Sequence, residues 1–138
     1  MADGRTAVQR LGTDSVDVYV GDAFGGVAVP WHLTTRETFS EVDRVVRPDG
    51  LVLISVIDYR PLDFARAELA TVASVFEHVA LLAGSGGLTG GNLVMLASHA
   101  PIDRAATAAA LLAQGSNLEL VPEPTVQACV GTDPLVLT

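Results

Sequence analysis

Apolar and polar residues alternate from Val16 to Val20 as VDVYV, and the run stops at Gly21-Asp22. This spacing predicts a strand of moderate burial. Phe24 to Pro30 reads as a loop, broken by Gly25-Gly26 and Pro30. The period then lengthens. Phe39, Val42, Val45 and Val46 form a helical stripe. Thr34 or Thr35 can serve as the cap, and Glu37 in the first turn suits the positive end of the helix dipole. Arg44 and Arg47 fall in the predicted last turn, and Pro48-Asp49-Gly50 stops the helix. Leu51 to Ile57 (LVLISVI) is nearly all apolar and rich in β-branched residues, which predicts a strand covered on both faces.

The second half of the chain continues in the same manner. Leu62 to Phe76 reads as a helix with Phe64, Leu69, Val72 and Phe76 turned inward. Val79 to Ala83 and Leu93 to Ala97 read as short strands joined through GSGGLTGGN. Ile102 to Gln114 is an alanine-rich helix ended by Gly115, and the tail from Leu118 to Thr138 holds apolar pieces broken by Pro122, Pro124 and Pro134. The order β-α-β-α-β-β-α predicts an α/β fold: a mostly parallel, Rossmann-like sheet with an antiparallel hairpin at one edge and helices on its faces. At 138 residues the chain is read as a single domain, 1–138, with no internal repeat.

Composition narrows the chemistry. Eight Arg, no Lys and 16 acidic residues give a formal net charge of −8. Nucleic acid and anionic membranes attract basic surfaces, so neither is expected as a partner. The amino-terminal residues lack an apolar signal core, and no run reaches the length of a membrane span; a cytoplasmic location is expected. The lone Cys129 rules out an internal disulfide or a multi-cysteine zinc site and is expected to be a buried thiol. His78 and His99 show no metal spacing and read as surface or packing residues, so no metal site is expected. The glycine-rich run at 84–91 lacks a following Lys-Ser/Thr and opens onto a strand, which excludes a phosphate loop.

Five segments carry a resemblance: DVYVGDAFGG, VPWHLTTRETF, RVVRPDGLVLISVID, ASVFEHVALLA and GGNLVMLAS. In order and spacing they resemble the spermidine synthase-like proteins of actinobacteria, which have the class I S-adenosylmethionine-dependent methyltransferase fold. The resemblance runs from about Asp3 to Thr138. It implies S-adenosylmethionine or its decarboxylated form as cofactor. It also implies cofactor contacts from Asp3, Gly4, Asp22, Ala23 and Phe24, and a substrate pocket at Asp22, Trp31 and His32. Asp3-Gly4 matches the family's Asp-Gly pair, whose acid takes the adenine amino group; the alternative is a frayed terminus. Asp22 matches the first acid of the family's D-x-x-D loop, with an Asx-turn cap as the alternative. Trp31 and His32 wall a pocket or plug the underside of the first helix.

Where the family has its second, proton-accepting acid, this chain has Gly25, so no catalytic residue is assigned. Met1 lies two residues before Asp3. The resemblance therefore implies the C-terminal portion of the fold, without the Gly-rich cofactor-binding half. The functional expectation is a spermidine synthase-like fragment that is not catalytically competent alone. The alternatives are a transferase completed by another chain or by self-association, and a non-catalytic assembly module. The strand at Val16–Val20 would then lie at a sheet edge, giving two expected partners: a second copy in a homodimer, or a complementary N-terminal half.

Overall fold

The computed structural model describes residues 3–22 and 30–138. A helix α1 (Gly4–Gln9) precedes β1 (Val16–Gly21), and a 3-10 turn (Trp31–Leu33) leads into α2 (Arg36–Val45). Then follow β2 (Val46–Tyr59), α3 (Asp63–Ala73), β3 (His78–Gly84), β4 (Gly90–Ser98), α4 (Arg104–Ala113), β5 (Leu118–Leu120) and α5 (Glu123–Val130). The sheet order is β1-β2-β4-β3-β5. β1 and β2 are parallel, while β4 runs antiparallel to both β2 and β3. Thus β1, β2 and β3 share one direction, and β3 and β4 form the expected hairpin. β5 adds an outermost antiparallel pair on β3.

The expected α/β sheet with helices on its faces is therefore present. Every residue of the predicted stripe on α2 is buried: Phe39, Val42, Val45 and Val46. Thr35 caps the helix, accepting from the Thr38 amide at 3.4 Å. These residues, with Leu69 and Val72 of α3 and Val126 of α5, pack on Val52, Ile54, Val56, Leu93 and Met95. That face holds the main core. Across the sheet, Ala80, Leu82 and Leu96 form a smaller cluster with Leu51, Leu53, Ile102, Leu118 and Leu111 of α4, and no residue of α4 is fully buried.

Several readings of the sequence change. Val46 and Arg47 are not helical. The helix stops at Val45 because the residue before Pro48 is pushed toward extended backbone, and the strand begins at once. Arg47 instead reaches back to β1, donating to the Asp17 carboxylate at 2.5 Å and to the Asp14 carbonyl oxygen at 3.2 Å. The Pro-broken tail contains a strand and a helix. Pro122 precedes α5, where a missing amide proton costs nothing at a helix start. Cys129 is only partly buried, against Leu69, Leu81 and Met95. Phe64 is also only partly buried. His99 bonds Asp43 at 2.8 Å and stacks near Phe76, a packing role as expected.

Gly50 sets the approach of β1 to β2. A Cβ there would lie 2.8 Å from the Asp17 carbonyl oxygen, 2.9 Å from that of Arg47 and 2.5 Å from a Val46 methyl. Two of these neighbours are backbone and cannot swing away. Ser98 Oγ also donates to the Gly50 carbonyl at 2.7 Å. Gly50→Ala is expected to destabilise the fold by roughly 2–3 kcal/mol, as overpacking does; urea unfolding measures it.

Glu68 on α3 is 1% exposed, and its Oε2 has no hydrogen-bond partner among the described residues. Desolvation pushes its carboxyl up to about 8 from the ordinary 4.5. The folded state therefore holds a proton that the unfolded chain releases above about pH 4.5. This contribution is fully present below that pH and lost as pH rises toward about 8. The slope approaches ~1.4 kcal/mol per pH unit at most. The urea midpoint is expected to fall between about pH 5 and pH 8, and Glu68→Gln to flatten that fall.

Candidate functional site

In open α/β sheets, ligands bind beyond the carboxyl ends of the parallel strands. Asp22 follows Gly21 at that end of β1, and Gly21 is in register with Ile54. β2 runs on to Asp58 and Tyr59. Because α2 leads directly into the amino end of β2, its own amino end lies back at the carboxyl end of β1. Trp31 and His32, in the turn before α2, are therefore at the same end of the sheet as Asp22.

Asp3 joins them. Its carboxylate caps α1, accepting from the Arg5 amide at 3.2 Å, and its Oδ1 also lies 3.2 Å from His32 Nε2. His32 is held from the other side, since Thr38 Oγ1 donates to its carbonyl at 2.6 Å. Thr38 Oγ1 also lies 3.2 Å from Thr35 Oγ1, so the His32 turn is tied to the start of α2. Two residues 29 positions apart in sequence, Asp3 and His32, thus form one contact. Asp3 is an ordered helix cap rather than a frayed end. Gly4 sits beside Leu33, where an added Cβ would find ordinary contact at 3.8 Å.

Trp31 overturns one reading. A plug beneath the first helix would be buried, but Trp31 is 74% exposed and meets the His32 ring edge-on at 5.9 Å. The underside of α2 carries buried Phe39 and Val42 instead. Ala23 and Phe24, expected to contact a cofactor, and Gly25 lie outside the described residues.

Asp58 was not singled out from the sequence, although it shares with Asp22 the signal of an acid at the end of an apolar strand. Its carboxylate accepts from the Tyr59 amide at 2.8 Å and the Ala65 amide at 2.9 Å. One oxygen thus holds the end of β2 and the other the first turn of α3. Asp58 is a structural acid, and Asp22 follows β1 at the same end of the sheet. A cleft of about 500 Å³ between Phe76, His78, Ile102, Arg104 and Glu123 opens at the other end of the sheet, by the amino end of β3. Among the described residues, no three His, Cys, Asp or Glu side chains converge as a metal site requires. No helix among them is long and apolar enough to cross a membrane.

No protein-family model matches the chain, and no curated protein matches it in sequence. Solved structures do. A probable spermidine synthase from Corynebacterium glutamicum ATCC 13032 is 28% identical over 97% of this chain, with a TM-score of 0.82. Spermidine synthase from Thermotoga maritima superposes over 96% of the chain with a TM-score of 0.64 at 17% identity. Human methyltransferase-like protein 13, solved with SAH, superposes over 94% with a TM-score of 0.58 at 14% identity. The chain thus resembles spermidine synthases and has the fold they share with methyltransferases. It spans about half of these relatives: 51%, 46% and 54% of their respective lengths.

Asp58→Ala removes the acceptor for the Tyr59 amide at the end of β2 and for the Ala65 amide in the first turn of α3. A loss of about 1–2 kcal/mol is expected in urea unfolding, the usual cost of a lost cap.

Proposed function

We propose that this chain is a spermidine synthase-like module that retains the nucleoside side of a transferase pocket but does not by itself carry out aminopropyl transfer. The observation that carries this reading is the pairing of residues at the carboxyl end of the sheet. Asp22 stands at the strand tip, and the Asp3–His32 contact and exposed Trp31 lie at the same end. The likeness to the Corynebacterium glutamicum protein supports S-adenosylmethionine or its decarboxylated form as the ligand class.

Catalysis asks for more. An amine nucleophile must lose a proton, and a positioned acid or base within hydrogen-bond reach supplies that step. By the resemblance, the residue for it is at position 25, and Gly25 has no side chain to accept a proton. Asp3 is a poor substitute, because its carboxylate already serves the α1 cap and His32. Asp22 can attract an ammonium group or accept from a ribose hydroxyl. The protein's own contribution is therefore to hold and orient a nucleoside sulfonium, with an exposed indole available to stack against its charge or ring.

Calorimetric titration with 5′-methylthioadenosine and with decarboxylated S-adenosylmethionine tests the reading. Binding no tighter than about 1 mM, near −4 kcal/mol, is expected. Asp22→Ala is expected to weaken it at least about tenfold, a loss of ~1.4 kcal/mol or more. No release of methylthioadenosine is expected with putrescine as acceptor. Turnover by the purified chain would refute the non-catalytic part, and affinity unchanged in Asp22→Ala would refute the site.

A further inference from the structure

We propose that the cleft between β3, α4 and α5 binds a small zwitterion with an apolar body, of the class of the apolar α-amino acids. The cleft holds about 500 Å³, within the range of about 300–1,000 Å³ usual for small-molecule sites. It is built by α3, β3, α4, α5 and the short segments that join them. In the sheet order β2 and β4 separate this part of the molecule from β1.

The lining is divided by polarity. Phe76 and Ala80 are buried, and Val79, Ile102 and Val130 extend the apolar part. The Phe76 ring is backed by His99 at 5.4 Å, and His99 is itself bonded to Asp43 at 2.8 Å. A flat apolar surface fixed in this way suits a hydrocarbon or aromatic body.

The polar part is also fixed. Arg104, at the start of α4, donates to the Val121 carbonyl at 2.7 Å and to the Glu123 carboxylate at 3.2 Å. Glu123 accepts through its other oxygen from Gln127 at 3.0 Å. The guanidinium is therefore oriented by its partners and keeps further N–H donors for a ligand. Such a group takes a carboxylate through parallel N–H bonds. Glu123 and Gln127 serve here as positioning residues. Glu77 and His78 enter the cleft from the start of β3, with their side chains 3.8 Å apart.

Charge decides the ligand class. A simple anion would find Arg104 but would also meet Glu77 and Glu123, in a chain of formal charge −8. A simple cation would meet Arg104. The cleft presents both signs from different elements, and a ligand that carries both is complementary to it. Its carboxylate is placed on Arg104, its ammonium on Glu77 and its apolar body over Phe76 and Ile102. The cleft opens at the end of the sheet away from Asp22, so the inference does not depend on nucleoside binding.

L-Leucine and L-phenylalanine are the probes, titrated into the labelled chain and followed by amide NMR. Saturable shifts are expected at Phe76, His78 and Ile102. Hydrocinnamate lacks the ammonium of L-phenylalanine and phenethylamine lacks its carboxylate; each is expected to bind about tenfold more weakly or worse. Glu77 is 70% exposed, so Glu77→Gln is expected to leave the fold intact. It is expected to weaken L-phenylalanine about tenfold and to leave hydrocinnamate no weaker. Arg104→Gln is expected to abolish binding of both, with circular dichroism checking its fold; if that variant unfolds, Glu77→Gln carries the test. The absence of saturable shifts with both amino acids overturns the inference. So does hydrocinnamate or phenethylamine binding as tightly as L-phenylalanine, or Glu77→Gln failing to weaken L-phenylalanine selectively.

Discussion

The backbone ladder of β2 is the interaction on which the rest of this molecule depends. Fourteen residues, Val46 to Tyr59, pair with β1 on one side and β4 on the other. One face of the strand, Val52, Ile54 and Val56, anchors the main core. Its amino end is drawn against β1 by Gly50 and by Arg47, and its carboxyl end starts α3 through Asp58. With β2 in place, α2 must return along the sheet to connect it to β1, and the residues before α2 are carried to the carboxyl end. The candidate site is thus a consequence of the crossover rather than of any local motif.

The two faces of this sheet are unequal. Three helices, α2, α3 and α5, bury one face, while α4 alone stands over part of the other. An alanine-rich helix of ten residues is marginal by itself and normally draws its stability from packing, yet no residue of α4 is fully buried. The more exposed part of that face lies on β1 and β2, at Val18, Val20, Ile57 and Tyr59.

Polar groups in the interior show how closely the covered face is set. Leu137 bridges two helices, its carbonyl accepting from the Arg36 amide at 2.8 Å and its amide donating to Thr71 Oγ1 at 2.8 Å. Near this strap Glu68, three residues before Thr71 on α3, has a carboxyl that burial keeps protonated to about pH 8. A neutral acid can be tolerated there, whereas an unpaired carboxylate in the same place carries a large desolvation cost. Acidity and stability are thus directly coupled at Glu68.

Local periodicity in the sequence determined the central elements, because the residues that specify them are neighbours along the chain. The stripe Phe39-Val42-Val45-Val46, the Thr35 cap and the alternation of β1 carry their meaning within a turn or a few residues. Asp22 could be placed at a strand tip for the same reason. What the sequence could not show depends on distant partners. LVLISVI looks alike whether one face or both are covered, and only the tertiary structure leaves Leu51 and Leu53 beside exposed Val18 and Val20. Trp31 looks like core until buried Phe39 and Val42 are seen beneath α2 instead. Asp3 and His32 lie 29 residues apart and meet only because α1 and α2 pack together, and Asp58 is tied to α3 by an amide seven residues further along the chain.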